Sequence, residues 1–155
     1  MDHNIFITTI AATFTTLGFA ILYNIPRRHL PIASIIGGMG WMIYYFFMND
    51  LGIQLFASAG LASLTISVVS QLFARKYAVP VTIFSIPAII PLVPGGSAYN
   101  GMRAFIMGEY AIATGHVIDT FIIAGAIALG LTVNTAIFQV LSPKAIVQQG
   151  RRYLP

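Results

Sequence analysis

The chain has 155 residues, of which 57% are hydrophobic and 8% charged, and its mean hydropathy is +0.85; soluble domains carry about 25% charged residues, so this is an integral membrane protein. The formal charge of +4 comes from basic residues in short loops between apolar segments, which reads as a topology signal and not as a nucleic-acid surface. No cysteine is present, which excludes disulfides, thiolate nucleophiles and cysteine metal sites.

Hydropathy predicts an all-α integral membrane protein in a single transmembrane domain over residues 1–155, with about five crossings, the fourth of them broken. The first span covers 5–23. It starts almost at once, without a basic n-region or a small-residue cleavage site, and reads as a retained span and not a signal peptide. Its threonines, Thr8, Thr9, Thr13, Thr15 and Thr16, can bond back to their own helix or across to a neighbour. A short basic link, Asn24 to Pro31, turns the chain, and Pro31 suits the first turn of the second span, 31–48.

Within that second span Gly37, Gly38 and Gly40 would let another backbone approach closely. Trp41, Tyr44, Tyr45, Phe46 and Phe47 read as an interfacial aromatic belt at its far end. The third span, 53–73, is rich in small residues spaced for helix contact, among them Ala59, Gly60, Ser63 and Ser67. Arg75 and Lys76 close it with a second basic turn.

The fourth segment, 80–94, carries Pro87, Pro91 and Pro94, then Gly95 and Gly96. Each interior proline removes a backbone donor and clashes with the preceding turn, at roughly 3 kcal/mol. A half-helix over 97–113 is expected to follow, capped by Ser97, and a fifth span over 117–141 with Asp119 in its first turn. Residues 142–155 read as a cytoplasmic tail.

The break is the candidate site. If Ser97 caps the half-helix, its free backbone donors point into the break, and such helix starts hold anions. Gly96, Asn100 and Arg103 recur at spacings of four and three and share one helix face, with Tyr99 beside them. A carboxylate would take bonds from Gly95, Gly96 and Ser97, with Arg103 as counter-charge. The competing reading is a plain exposed loop, with Ser97 an ordinary cap and Arg103 at the outer surface. Asp119 and Glu109 are candidates for proton coupling if they face the interior, and His116 for a proton shuttle with Asp119. His29 and His116 are both expected at interfaces, and Asn134 reads as an interhelical hydrogen bond. No zinc, nucleophile-base or P-loop spacing is present, so no metal, cofactor or enzyme activity is expected.

At Ile86 to Met102, IPAIIPLVPGGSAYNGM, the chain resembles the threonine/serine exporter (ThrE) family, and in particular its short stand-alone, YjjB-like membrane subunits. The resemblance implies export of small carboxylate-bearing metabolites: threonine and serine, or a C4 dicarboxylate such as succinate. It also implies a larger membrane partner subunit, in keeping with the lack of an internal repeat here. It maps the family motif onto Pro87, Pro91, Pro94, Gly95 and Tyr99.

The expected function is therefore a subunit of a secondary exporter in a bacterial inner (plasma) membrane. The basic residues place the N-terminus outside and the C-terminus in the cytoplasm. The alternatives are a scaffold that assembles the complex without touching substrate, and a homo-oligomeric channel.

Overall fold

A computed structural model describes residues 5–141, with side chains to residue 138. Among these residues the chain forms helices α1 (Ile5–Leu22), α2 (Leu30–Tyr45), α3 (Leu55–Tyr77), α4 (Thr82–Ile89), α5 (Gly95–Ile106) and α6 (Tyr110–Leu141), and no strand. In hydrocarbon a backbone must satisfy its own polar groups, and long apolar runs do so as helices. Side-chain hydroxyls follow the same rule: Thr13 Oγ1 donates to the Thr9 carbonyl and Thr16 Oγ1 to that of Ala12, each at 2.9 Å.

Three helices stop in one way. After α1, α3 and α5 the chain turns at Asn24, Ala78 and Gly108, with φ of 55°, 52° and 80°. In each, the next N–H reaches back to a carbonyl five residues earlier: Ile25 to Ala20 at 3.1 Å, Val79 to Ala74 at 3.0 Å and Glu109 to Ala104 at 2.9 Å. These are Schellman caps, which settle carbonyls that a helix end leaves open.

The core is small and mostly alanine: Ala20, Ala33, Ala59, Ala62 and Ala88 pack with Ile36, Ile66 and Phe84. α2 sits at its centre, against α1, α3 and α4. A Cβ on Gly37 would collide with Thr16, and one on Gly38 with Thr13, so the paired glycines are what let α1 lie against α2. α3 and α6 run parallel, since Gly130 meets Gly60 and Ser63, Asn134 meets Ser67, and Arg75 lies over the Phe138 ring at 4.5 Å. α5 runs antiparallel to the first half of α6, with Gly101 beside Ala113 and His116.

Four helices are long and apolar enough to cross a membrane singly, and α4 with α5 passes the same test as a pair bent by 44°. The all-helical fold with its broken fourth span matches the sequence expectation. Three local expectations are corrected. α5 ends at Ile106 and α6 begins at Tyr110, because Gly108 supplies the positive φ that stops one helix and frees the chain to start the next. Asp119 consequently lies in the third turn of α6, not the first.

The third correction concerns Trp41, which the sequence placed in the aromatic belt. Trp41 is half-buried beside Thr8, Ala11, Ile90 and Pro91, about 16 Å of helix rise from the start of α2, so it packs at mid-depth. Tyr44, Tyr45, Phe46 and Phe47 do stand at the far end, where the span closes in a widened π turn, Phe46–Asp50, whose closing bond runs from the Leu51 N–H to the Phe46 carbonyl at 3.3 Å. The expected tail over 142–155 lies outside the described residues.

Candidate transport site at the broken span

The break follows from two missing donors. Pro91 has no N–H to give the Pro87 carbonyl, and Pro94 none to give that of Ile90. Each carbonyl is taken instead by the residue just before the proline: Ile90 N–H bonds to Pro87, and Val93 N–H to Ile90 at 3.1 Å. Those three-residue bonds tighten Ile90–Leu92 into a 3₁₀ turn, and the span bends just beyond it, where Val93, held extended by the proline that follows, has ψ 129° and Pro94 has ψ 51°. Pro87 is buried inside α4, and Pro91 and Pro94 are half-buried.

Pro94, not Ser97, is the cap residue of α5, and no side chain bonds to that helix end. The Pro94 carbonyl accepts the Ala98 N–H at 3.0 Å, closing the first turn before Ser97 can act as a cap. Gly95 N–H turns back to the Val93 carbonyl at 2.7 Å, which leaves the N–H groups of Gly96 and Ser97 at the open end. Gly95 and Gly96 are exposed, and a Cβ on either would meet nothing within 4 Å.

Further along α5, Asn100 and Arg103 share a cleft of about 250 Å³ with Glu109 and His116, walled by Ala104, Met107 and Ile112. Among the described residues none of the four polar side chains makes an ion pair or a side-chain hydrogen bond. The fold thus joins Asn100 and Arg103 to Glu109 and separates them from the helix start. Arg103 stands eight positions beyond Gly95, about 12 Å of rise, so one small carboxylate does not span both. Tyr99 points away, 68% exposed. His116 completes the cleft, a role the sequence reading missed because it began the last span at 117. The seven-residue spacing from Glu109 to His116, two turns on one face, was the available signal.

Asp119 is half-buried on α6 and lies close enough to Tyr44 of α2 to interact with it electrostatically. His29, expected at an interface, is 1% exposed, edge-on to Tyr77 and Phe84. Asn134 Nδ2 donates to Ser67 Oγ across the α3–α6 contact, the interhelical bond that the sequence suggested. No group of three or more metal-ligating side chains occurs among the described residues.

Height in the bundle separates the two polar features. From Phe138, beside Arg75, back to His116, α6 rises about 33 Å, slightly more than a bilayer's hydrocarbon core of about 30 Å. The cleft is therefore at the membrane face opposite the basic turns, and the break is deeper.

These features define a multi-pass helical membrane protein with one proline-broken span leading to a charged cleft. A family model described as threonine/serine exporter, ThrE, matches residues 8–137, and the chain belongs to that family of membrane transporters. No solved structure matches it.

Proposed function

We propose that the chain is a subunit of a secondary exporter of small carboxylate-bearing metabolites, with threonine and serine as the leading substrates and a larger membrane subunit as partner. The observation that carries this reading is the cleft, where the Arg103 guanidinium and the Glu109 carboxylate stand free beside Asn100 and His116. An amino-acid zwitterion offers each charge a partner. A C4 dicarboxylate would set a second anion against Glu109, so the amino acid is the better fit. The open N–H groups of Gly96 and Ser97 provide an earlier station for a carboxylate at the break, and Gly95 lets it approach closely.

Export then proceeds by alternating access around the bend, with Asp119 and Glu109 as candidate proton carriers. The basic turns at Arg27, Arg28, Arg75 and Lys76 favour a cytoplasmic position for their end of the bundle, which puts the cleft on the exit side of an inner membrane. Among the helices, α5 packs chiefly on α6, leaving Met102, Phe105 and Ile106 exposed. That face supports a partner chain as occupant, and equally supports a scaffold role in which the partner alone carries substrate.

Efflux of labelled threonine, serine and succinate from cells lacking the endogenous exporter separates these readings. We expect efflux to require both chains, to prefer the amino acids, and to be abolished by Arg103→Ala at normal membrane levels. Full export by the partner alone, or wild-type flux in the alanine variant, overturns the site in favour of the scaffold. Succinate preference surviving in the wild type overturns the zwitterion assignment.

A further inference from the structure

The end of the bundle opposite the cleft carries a second constellation. Arg27 and Arg28 follow α1, Arg75 and Lys76 finish α3, and all four are exposed. The fold ties these two basic turns together. His29, next to Arg28, packs edge-on against Tyr77, next to Lys76, at 5.3 Å between ring centres, and against Phe84 at 5.4 Å. Among the described residues the carboxylates Asp50, Glu109 and Asp119 all lie toward the other end. Arg75 is held over the Phe138 ring.

Arg28 is pre-set. Its Nε donates to His29 Nε2 at 2.9 Å. Burial of His29 fixes the ring, and the ring fixes the guanidinium, so the remaining N–H groups of Arg28 project from a rigid base. Lys76 supplies a point charge beside the neighbouring ring, its Nζ 5.8 Å from the Tyr77 centroid. An anchored guanidinium fork and an ammonium on adjacent turns at a membrane surface suit a phosphodiester oxygen. The adjoining apolar wall suits acyl chains.

We infer that this end of the bundle binds the headgroup of an anionic phospholipid, with Arg28 and Lys76 as the principal contacts and Arg27 at the rim. The site is independent of the transport reading. It goes beyond orientation by loop charge, which requires only that basic residues be present and not that one of them be held in place.

The full chain is purified in a mixture of phosphatidylglycerol and phosphatidylcholine, and retained lipid is read by native mass spectrometry. Phosphatidylglycerol should be retained preferentially. Arg28→Gln with Lys76→Gln should lower that preference by roughly thirtyfold, at about fivefold per lost surface cation. Arg28→Lys keeps the charge and removes the fork, and should lower it by a smaller factor with helical content unchanged. Equal retention of the two lipids, or a preference surviving the double change, overturns the site. Arg28→Lys behaving as wild type overturns the role of the fork. Displacement of the lipid by millimolar inorganic phosphate identifies a free-anion site and overturns the lipid assignment.

Discussion

The Asn134 side-chain amide donates to Ser67 Oγ across 2.8 Å, joining α6 to α3 at a point where both side chains are buried. It lies midway along α3, where no water competes. Asn134→Ala should cost about 1 kcal/mol, since interhelical hydrogen bonds in membranes average about 0.6 and reach about 1.7 kcal/mol. Ser67→Ala combined with Asn134→Ala should cost less than the sum of the two. Unfolding in mixed micelles measures both, and strict additivity would show that the pair is not coupled.

Four residues earlier on the same seam, Gly130 lies directly against the α3 backbone. A Cβ there would stand 2.8 Å from the Gly60 carbonyl oxygen and 2.9 Å from the Leu64 nitrogen, both backbone atoms that cannot rotate aside. Gly130→Ala should therefore push the helices apart and lose about 1–3 kcal/mol. Gly125→Ala, with nothing within 4 Å, serves as the matched control and should be near neutral or slightly stabilising.

Ala78 ends α3 in the left-handed region, at φ 52°. That conformation costs a residue with a Cβ about 1–2 kcal/mol, part of which glycine gives back through its freer unfolded chain. Ala78→Gly should raise stability by about 0.5–1 kcal/mol. A thermal midpoint that falls instead would mean that the Schellman turn is not what stops the helix.

Pro94→Ala restores an N–H facing the Ile90 carbonyl and frees Val93 from its extended ψ of 129°, so it should draw the junction toward α-helix and reduce the 44° bend. The cysteine-free chain allows spin labels at Ser85→Cys and Met102→Cys to report the change. Their separation should lengthen as the span straightens, and efflux should fall at unchanged membrane level. An unaltered separation would assign the bend to packing against α1 and α2.

Glu109→Gln removes the anion from the cleft while keeping its shape. Amino-acid efflux should drop by about tenfold or more, as expected for losing a charge-assisted hydrogen bond worth roughly 1.5–3 kcal/mol, and succinate efflux should drop less. Equal losses for the two substrates would place Glu109 in coupling or structure and not in recognition.

Much of this was legible along the chain. Long apolar runs, sparse charge and a proline-glycine interruption determine membrane spans and a break, because hydrocarbon leaves a backbone few alternatives and proline removes donors wherever it stands. The interhelical role of Asn134 was readable for a similar reason: an amide in a span needs a partner.

What the sequence left open were relations between segments. Ser97 has the chemistry of a cap, yet the Pro94 carbonyl closes the first turn of α5 ahead of it. Gly108 starts α6 seven residues earlier than hydropathy suggested, and that shift moves Asp119 away from a helix end and swings His116 into the cleft with Arg103. The parallel pairing of α3 with α6, and the meeting of two basic turns through His29 and Tyr77, join residues dozens of positions apart. Local sequence sets which backbone groups need partners; only the packed bundle decides which distant side chains meet them.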